Sequence, residues 1–258
     1  MDRKRVNVLG LSVDHISFEN AVASIEQLIA PGESHYVCVN STQDIMISQS
    51  DRYFRQIVNG ADLAPPDGWP VVWAMRSYGF NQETRVTGPD LMAAICERSV
   101  EKGYKHFFYG GAEGVPELLA QKLSQRFPGI RIVGGYSPPF RPLTPDEDRQ
   151  VIEMLNASGA DILWIGISTP KQHYWMKEHR EAVNIPLMFA VGAAFDFHSG
   201  RVKRAPLWMQ RYYLEWFHRL WQEPGRLGRR YLRYLPAFAW KFTLQRLAIS
   251  NYGSELEK

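Results

Sequence analysis

The feature that most constrains the fold is a regular alternation of short apolar runs with longer amphipathic segments through residues 1–200. Short apolar runs bounded by turn-forming residues are typical of buried strands, and the segments between them have helical spacing. The predicted strands are residues 6–11, 36–39, 106–109, 130–133, 161–165 and 187–191. The predicted helices are residues 17–29, 69–78, 89–102, 115–126, 145–157 and 170–180. This alternation predicts an α/β fold with a Rossmann-like, mostly parallel sheet flanked by helices.

Four of the predicted strands run into small or amide residues: Asn40, Gly110-Gly111, Gly166 and Gly192. Ligands of such sheets bind beyond the carboxyl ends of the strands. Glycine there lets backbone N–H groups approach a phosphate, and the dipole of the following helix favours negative charge. Glycine also ends strands without any ligand, but four such ends in one sheet favour a phosphate-bearing ligand. Neither a G-x-G-x-x-G nor a G-x-x-x-x-G-K-[ST] loop follows a strand.

Two charged residues beside these elements are candidates for chemistry. Asp67 follows two prolines and precedes Gly68 and a predicted helix. A carboxylate there can act as a general base, or it can simply cap the helix or form the turn. Lys171 falls in the first turn of the helix predicted after Gly166, where a lysine opposes the helix dipole unless an anion lies nearby. Phosphate binding and simple solvation both remain open for Lys171.

Asp196 lies in an apolar stretch, so its carboxylate needs a partner. That partner is either a ligand or one of the basic residues that follow closely in the chain, Arg201, Lys203 and Arg204.

No metal site is expected from the sequence. The acidic run at residues 146–148 falls in the first turn of the helix that Thr144 is predicted to cap, where acids are common. His173 and His179 lack metal-ligand spacing and are predicted to be surface histidines. The two cysteines, Cys38 and Cys96, provide no disulfide framework, which fits a reducing cytoplasm.

Residues 201–258 differ sharply in charge from the rest of the chain. They hold 12 Lys/Arg and 4 Asp/Glu, a net charge of +8, whereas residues 1–200 hold 18 and 23, a net charge of −5. The same tail contains four of the eight tryptophans. Its predicted helices are residues 206–223 and 226–235, after which Pro236 is expected to interrupt before a short segment through residue 246. The predicted division is a catalytic domain over 1–200 and a helical appendage over 201–258.

Apolar helix faces edged by Arg, Trp and Tyr are typical of segments that lie on an anionic membrane surface. The alternative is that the apolar stripe packs on the body or on a second subunit. Nucleic acid is not expected as the partner, because no recognisable binding module accompanies the charge. No run reaches the roughly 20 apolar residues of a membrane span, and the start of the chain lacks the apolar core of a signal peptide.

Several of these motifs, in their order and spacing, resemble the WecG/TagA/CpsF family of bacterial glycosyltransferases, glycosyltransferase family 26. The resemblance covers about residues 6–242. It depends on Asn40, Pro66-Asp67-Gly68, Arg85-Val86-Thr87-Gly88, Gly110-Gly111, Pro170-Lys171-Gln172 and the run at 191–206. The Arg-rich tail, including Glu215-Trp216 and Arg219-Leu220, continues the match. Each motif alone is weak, and the combination is specific.

The resemblance implies an inverting transferase that moves a sugar from a UDP-sugar to a polyprenyl-diphosphate-linked saccharide during synthesis of bacterial cell-surface polysaccharide. The sugar would be of the N-acetylmannosamine type or a related hexose. Asp67 matches the catalytic aspartate of the family, which would deprotonate the acceptor hydroxyl, and Asn40 and Gln172 match polar residues beside it. The enzyme would need no cofactor or metal, and would lie on the cytoplasmic face of the plasma membrane.

The other implied site residues form two groups. The expected nucleotide and donor contacts are Cys38, Arg85, Gly110, Gly111, Tyr136, Gly166, Lys171, Gly192 and Asp196. The expected contacts to the acceptor diphosphate and the membrane are Arg201, Lys203, Arg204, Arg211, Arg219, Arg226 and Arg229.

Cys38 and His173 depart from the family pattern, which leaves the donor sugar open. One alternative is an exopolysaccharide β-glucosyltransferase that acts on a longer lipid-linked oligosaccharide. Another is a membrane-docked protein that binds a nucleotide sugar without turnover. A monomer whose tail completes its own site and a homo-oligomer are both compatible with the sequence.

Overall fold

The computed structural model describes residues 4–30, 32–81, 85–249 and 252, with the side chain of Arg226 left out. The strands are β1 (Arg5–Val8), β2 (Leu11–Asp14), β3 (His35–Cys38), β4 (Lys105–Gly110), β5 (Arg131–Tyr136), β6 (Ile162–Gly166) and β7 (Leu187–Ala190). The helices are α1 (Phe18–Leu28), α2 (Thr42–Ser48), α3 (Arg52–Asn59), α4 (Trp69–Ser77), α5 (Gly88–Lys102), α6 (Val115–Arg126), α7 (Pro145–Ala157), α8 (Lys171–His179), α9 (Ala194–His198), α10 (Leu207–Arg211), α11 (Glu215–Gln222) and α12 (Pro224–Arg246).

Five of these strands form a parallel sheet in the order β3-β7-β6-β4-β5. Successive residues of the central strand β6 point to opposite faces, so Leu163 and Ile165 join one buried cluster while Ile162 and Trp164 join the other. A strand buried on both faces is typical of parallel sheets covered by helices on each side. The predicted α/β class is therefore confirmed.

The N-terminal strand prediction is wrong. Residues 6–11 were expected to form one strand, but β1 and β2 pair antiparallel in a separate two-stranded sheet. The chain turns at Leu9 and Gly10, which have φ angles of 52° and 88°. The side chain of Asn7 stabilises the turn by accepting a hydrogen bond from the Gly10 N–H at 2.8 Å. A continuous apolar run does not reveal such a turn, because both strands of this hairpin are largely buried.

An irregular extended segment beside β3 places Asp67. Leu63 and Pro66 form isolated parallel bridges with Val37 and Asn40. The backbone N–H of Asp67 then donates to the carbonyl of Asn40 at 2.8 Å. These bonds extend the sheet edge past the end of β3 and bring the two polar residues together.

Three helices near the strand ends, α2, α3 and α9, were not predicted. Helix α2 begins with a capping box between Ser41 and Asp44, and α3 begins at the cap Asp51. These helices are only five to eight residues long, so they carry little periodic signal.

The tail also differs from the prediction. The single helix expected over 206–223 is two helices, α10 and α11, separated at Tyr213 with a φ of 68°. Pro236 does not interrupt the helix as predicted, and α12 contains it. The carbonyl that loses its helical hydrogen bond to Pro236 is that of Leu232, whose side chain is 80% exposed. Water can reach that face of the helix, which makes the proline tolerable.

The tail packs on the body of its own chain. Leu227, Phe238 and Phe242 of α12 are buried, the last two within the main hydrophobic cluster. The N–H of Leu9 donates to the Gln245 side chain at 3.0 Å, which ties α12 to the N-terminal hairpin. Within the described residues, no helix has both the length and the apolar character that crossing a membrane requires.

Candidate active site

A cleft of about 1560 Å³ opens at the carboxyl ends of β3, β4, β6 and β7, where the sequence placed a ligand site. The segments that follow these strands form one wall, and α11 and α12 of the tail contribute to the other. The strand-end and loop residues include 41–44, 67–70, 111–112, 166–169 and 190–193. The tail residues include Tyr213, Glu215, Trp216, Arg219, Arg230, Tyr231 and Tyr234.

Asp67 lines this cleft with a half-buried carboxyl group. It does not cap the following helix, because the N-cap residue of α4 is Gly68 and no side chain caps this helix. Burial raises the pKa of Asp67 to about 6, opposed by the positive charge of Arg85. The carboxylate of Glu215 raises this pKa further. A carboxyl group with a pKa close to neutral pH suits general-base chemistry.

Asn40 and Gln172 lie beside this cleft with unsatisfied oxygens. Asn40 is buried, and its amide nitrogen donates to the carbonyl of Ala64 at 3.2 Å, but its Oδ1 has no partner among the described residues. Gln172 lines the cleft and donates to Thr169 at 3.3 Å, and its Oε1 also has no partner in the described part of the chain. Because buried polar atoms are normally hydrogen-bonded, these oxygens fit a ligand that supplies hydroxyl or amide donors.

Asp44 and His173 form a buried pair that sequence reasoning missed. Ser41 donates to Asp44 Oδ2 through its N–H at 2.9 Å, whereas Asp44 Oδ1 has no hydrogen bond to any described residue. That oxygen lies 3.8 Å from Nε2 of His173. Burial lowers the pKa of His173, which favours the neutral imidazole at pH 7. Asp44 lines the cleft, and its only sequence signal was the capping box that starts α2.

The prediction of two surface histidines on α8 is wrong. His173 and His179 are both buried. His179 lies between the Trp175 carbonyl and the carboxylate of Asp148. Polar residue type suggested exposure, but both side chains lie on the face of α8 that packs inward.

A chain of ion pairs joins the tail to the body at the cleft wall. Glu215 is buried at the start of α11 and accepts hydrogen bonds from Arg85 and Arg204. Arg204 also donates to Asp90 at 2.8 Å, and Thr87 donates to the same carboxylate at 2.6 Å. Arg204 is thus committed to Asp90 and Glu215, and nothing in the sequence marked Glu215 as their common partner.

Close packing requires glycine at three of the strand-end positions, Gly110, Gly111 and Gly166. A Cβ on Gly110, whose φ is 124°, would lie 2.6 Å from the Gly166 carbonyl carbon. A Cβ on Gly166 would lie 2.8 Å from the ring of Phe195. Gly111, Gly166 and Gly192 line the cleft, and Gly110 lies outside the lining. The structural and ligand-binding interpretations of these glycines are therefore compatible.

The remaining predicted site residues are divided between the cleft and its surroundings. Those in the cleft lining are Arg85, Lys171, Asp196, Arg201, Arg204 and Arg219. Cys38, Tyr136, Lys203, Arg211 and Arg229 lie outside the lining, Cys38 in the core and Tyr136 against Tyr109. The side chain of Arg226 lies outside the described residues.

Two tail arginines in the lining have distinct surroundings. Arg219 lies over the ring of Phe197 at 5.2 Å, and its buried Nε has no hydrogen-bond partner within the part of the chain that the structure describes. Arg230, which the sequence did not single out for the site, donates to Gln43 at 2.7 Å. Among the described residues, no group of three or more His, Cys, Asp or Glu is arranged to hold a metal ion.

The chain matches the Glycosyl transferase WecG/TagA/CpsF family over residues 6–252. It belongs to this family. The resemblance carried by the motifs is thereby confirmed, and the protein is a glycosyltransferase. One relative is the N-acetylglucosaminyldiphosphoundecaprenol N-acetyl-beta-D-mannosaminyltransferase of Bacillus spizizenii. It is 32% identical over 181 residues, which cover 70% of this chain and 68% of the relative.

Proposed function

We propose that this glycosyltransferase moves an N-acetylmannosamine-type sugar from a UDP-sugar to a polyprenyl-diphosphate-linked N-acetylglucosamine, with inversion at the anomeric carbon. The name of the Bacillus relative supports this acceptor and this sugar. The observation that carries the proposal is Asp67, whose pKa is raised to about 6 in a cleft beside Asn40 and Gln172. The product would enter cell-surface polysaccharide.

In this mechanism Asp67 accepts the proton of the acceptor hydroxyl as that oxygen attacks the anomeric carbon of the donor. The bond from the anomeric carbon to the UDP oxygen breaks on the opposite face, and UDP leaves with an additional negative charge. Cationic groups that contact the diphosphate more strongly in the transition state lower the barrier. Lys171, Arg201 and Arg219 line the cleft and are suited to this role.

The proposed mechanism uses these cations in place of a metal ion. The unpartnered Nε of Arg219 supports this arrangement, because a buried guanidinium nitrogen without a protein partner fits an anionic ligand oxygen. Activity that EDTA abolishes and Mg²⁺ or Mn²⁺ restores would contradict it.

We also propose that the tail holds the enzyme on the anionic inner face of the plasma membrane, where its acceptor is anchored. Trp208, Trp221 and Trp240 are exposed, as is Arg229. Aromatic side chains favour the membrane–water interface, and each cationic residue near an anionic leaflet contributes about 1 kcal/mol.

The decisive experiment measures UDP release and product mass with a panel of UDP-sugars and a short polyprenyl-diphosphate-N-acetylglucosamine acceptor. Wild type is compared with Asp67→Asn, which should lower the rate by about 10²–10⁴-fold through loss of the base. Asp146→Asn is the matched control, because Asp146 is exposed and outside the cleft lining. Retention of full activity by Asp67→Asn would rule out the proposed base.

The donor panel separates the remaining alternatives. Transfer from UDP-glucose to a longer lipid-linked oligosaccharide, and not to the short acceptor, would favour the exopolysaccharide glucosyltransferase. UDP binding without transfer from any donor would mean that the acceptor proposal is wrong or that the protein binds a nucleotide sugar without turnover.

A further inference from the structure

We infer that Glu215 is a positioning residue for sugar transfer, which holds Arg85 in the cleft wall and sets the balance of charge around Asp67. This inference depends on the proposed role of Asp67 as the base. Glu215 belongs to the tail, and Arg85 and Asp67 belong to the body. Docking of α11 would therefore be part of forming a competent active site.

The geometry around Glu215 is that of a fixed bridge. Its side chain is 9% exposed, and its two carboxylate oxygens accept from two different arginines, Arg85 and Arg204. Arg204 is anchored in turn by two hydrogen bonds to Asp90, which lies in the first turn of α5. The bridge therefore links the start of α11 to the start of α5. Arg85 is held in place by Glu215, which belongs to the tail.

A second contact seats the same part of the tail. The rings of Trp69 and Tyr213 lie with their centroids 3.5 Å apart. Trp69 is the first residue of α4, two positions after Asp67, and Tyr213 lies two positions before Glu215. The junction before α11 is thus fixed against the helix that follows the base, independently of the ion pairs.

Four charged groups on three parts of the chain act on Asp67. Arg85 lies just before α5, Asp44 lies on α2, and Glu215 and Arg219 lie on α11. The two arginines favour the ionised carboxylate, and Glu215 and Asp44 disfavour it. Helix α11 supplies one charge of each sign, so its docking changes the electrostatic balance at the base. Removing Glu215 alone leaves Arg85 and Arg219 opposed only by Asp44.

The sign of the effect on catalysis follows from this balance. Asp67 must be ionised to act as a base, so kcat/KM should fall on the acid side with an apparent pKa near 6 in the wild type. Loss of the negative charge at Glu215 makes ionisation of Asp67 easier. The acid limb of the profile should then move to lower pH.

The test is the pH dependence of kcat/KM for the full-length enzyme, in detergent with a lipid-linked acceptor, for wild type, Glu215→Gln and Glu215→Asp. Glu215→Gln should shift the acid limb down by about 0.5–1 pH unit. It should also lower kcat by about tenfold at the optimum, because Arg85 is held less firmly. Glu215→Asp keeps the charge and shortens the reach, so it should keep the wild-type acid limb while losing a similar part of kcat.

Glu153→Gln provides the matched control, since it removes one negative charge from an exposed position on α7 outside the cleft lining. Its profile should superimpose on that of the wild type. A Glu215→Gln enzyme whose activity falls equally at every pH, with no shift of the acid limb, would reduce Glu215 to a structural contact and overturn the inference. If Glu215→Gln does not fold, Glu215→Asp carries the test, and wild-type kcat in that variant would overturn it.

Failure of this inference is distinguishable from failure of the proposed function. A wild-type profile without an acid limb near pH 6, or an active Asp67→Asn variant, would remove the base itself. A wild-type limb that depends on Asp67 and is indifferent to Glu215 would leave the base in place and remove only the positioning role.

Discussion

At the scale of single residues, ionisation of Asp67 costs free energy in the folded protein because the carboxyl group is poorly solvated. The same environment that suits Asp67 to its proposed role as a base therefore opposes folding. Its ordinary pKa of 3.8 rises to about 6 in the folded state, so the folded protein holds the proton more tightly than the unfolded chain does. The free energy of unfolding must then fall as pH rises through this interval.

Asp67→Asn is accordingly expected to be inactive and more stable. Its advantage over wild type in the free energy of unfolding should grow by about 1–2 kcal/mol between pH 4 and pH 7.5, a value reduced for partial solvent screening. Urea denaturation of both proteins at the two pH values measures this difference. An advantage that does not change with pH would show that Asp67 ionises freely in the folded state, and Asp146→Asn should show no such change.

Asp67 could be chosen from the sequence as the candidate base, but the charged groups around it could not be predicted. The turn-forming prolines and Gly68, together with the family resemblance, located the carboxylate in the sequence. Its pKa depends in part on Glu215, which is distant in the chain and whose contact with this site no local pattern indicates. His173 was mispredicted for the same reason, since burial of a polar side chain depends on which face of α8 meets the body.

At the scale of secondary structure, helix α12 has two different surfaces. Phe242 is buried, stacks on Phe238 and meets the edges of Trp73 and Tyr78. Trp240, two residues earlier, is 67% exposed. A helix of 23 residues that buries one apolar face while exposing aromatic side chains elsewhere can be attached firmly to the body and still present apolar surface.

These neighbours make a matched pair of variants. Phe242→Ala should lower the free energy of unfolding by about 3–5 kcal/mol, as expected for a large aromatic side chain removed from a packed core. Trp240→Ala should change it by less than about 0.5 kcal/mol, since the ring is mostly in solvent. Thermal and urea unfolding of both variants measures the contrast, and equal effects would mean that α12 does not dock as described.

The strands of the parallel sheet could be predicted from the sequence, whereas the N-terminal hairpin and the continuous helix α12 could not. Strands β4, β6 and β7 were located because continuous apolar runs that lead into glycine identify buried parallel strands. The apolar runs of β3, which leads into Asn40, and of the partly exposed β5 were also recognised. The β1–β2 hairpin was missed because its turn uses Leu9 in a left-handed conformation, which residue type does not indicate. The continuity of α12 through Pro236 was missed because solvent access to one helix face is a tertiary property.

At the scale of the whole molecule, the tail serves both as part of the cleft and as part of the core. Glu215 and Arg230 line the cleft, and Phe238 and Phe242 complete the main hydrophobic cluster. Complete removal of the tail would therefore disturb folding as well as any membrane contact. Substitution of exposed side chains separates these two roles better than truncation does. The proposed division of the chain at residue 200 remains a prediction.

Membrane attachment can be tested with such substitutions. A variant with Trp208, Trp221 and Trp240 all changed to Ala should lose at least about tenfold in affinity for vesicles that contain anionic lipid, because three interfacial anchors are gone. Transfer to a short, soluble acceptor should be retained. Vesicle co-sedimentation at low and high salt measures binding, with neutral vesicles as the control. Unchanged binding by this variant would place the membrane contact elsewhere.

The hydrogen bond from Arg230 to Gln43 spans 187 residues of the chain, and it lies in the wall of the cleft. During synthesis, which adds about 5–20 residues per second, the first half of the cleft emerges from the ribosome many seconds before its partner does. An unfinished chain can therefore hold the proposed base, Asp67, and the strand-end glycines while the tail side of the cleft is still missing. Under the proposed mechanism, sugar transfer has to wait until the segment that carries α11 and α12 has been translated.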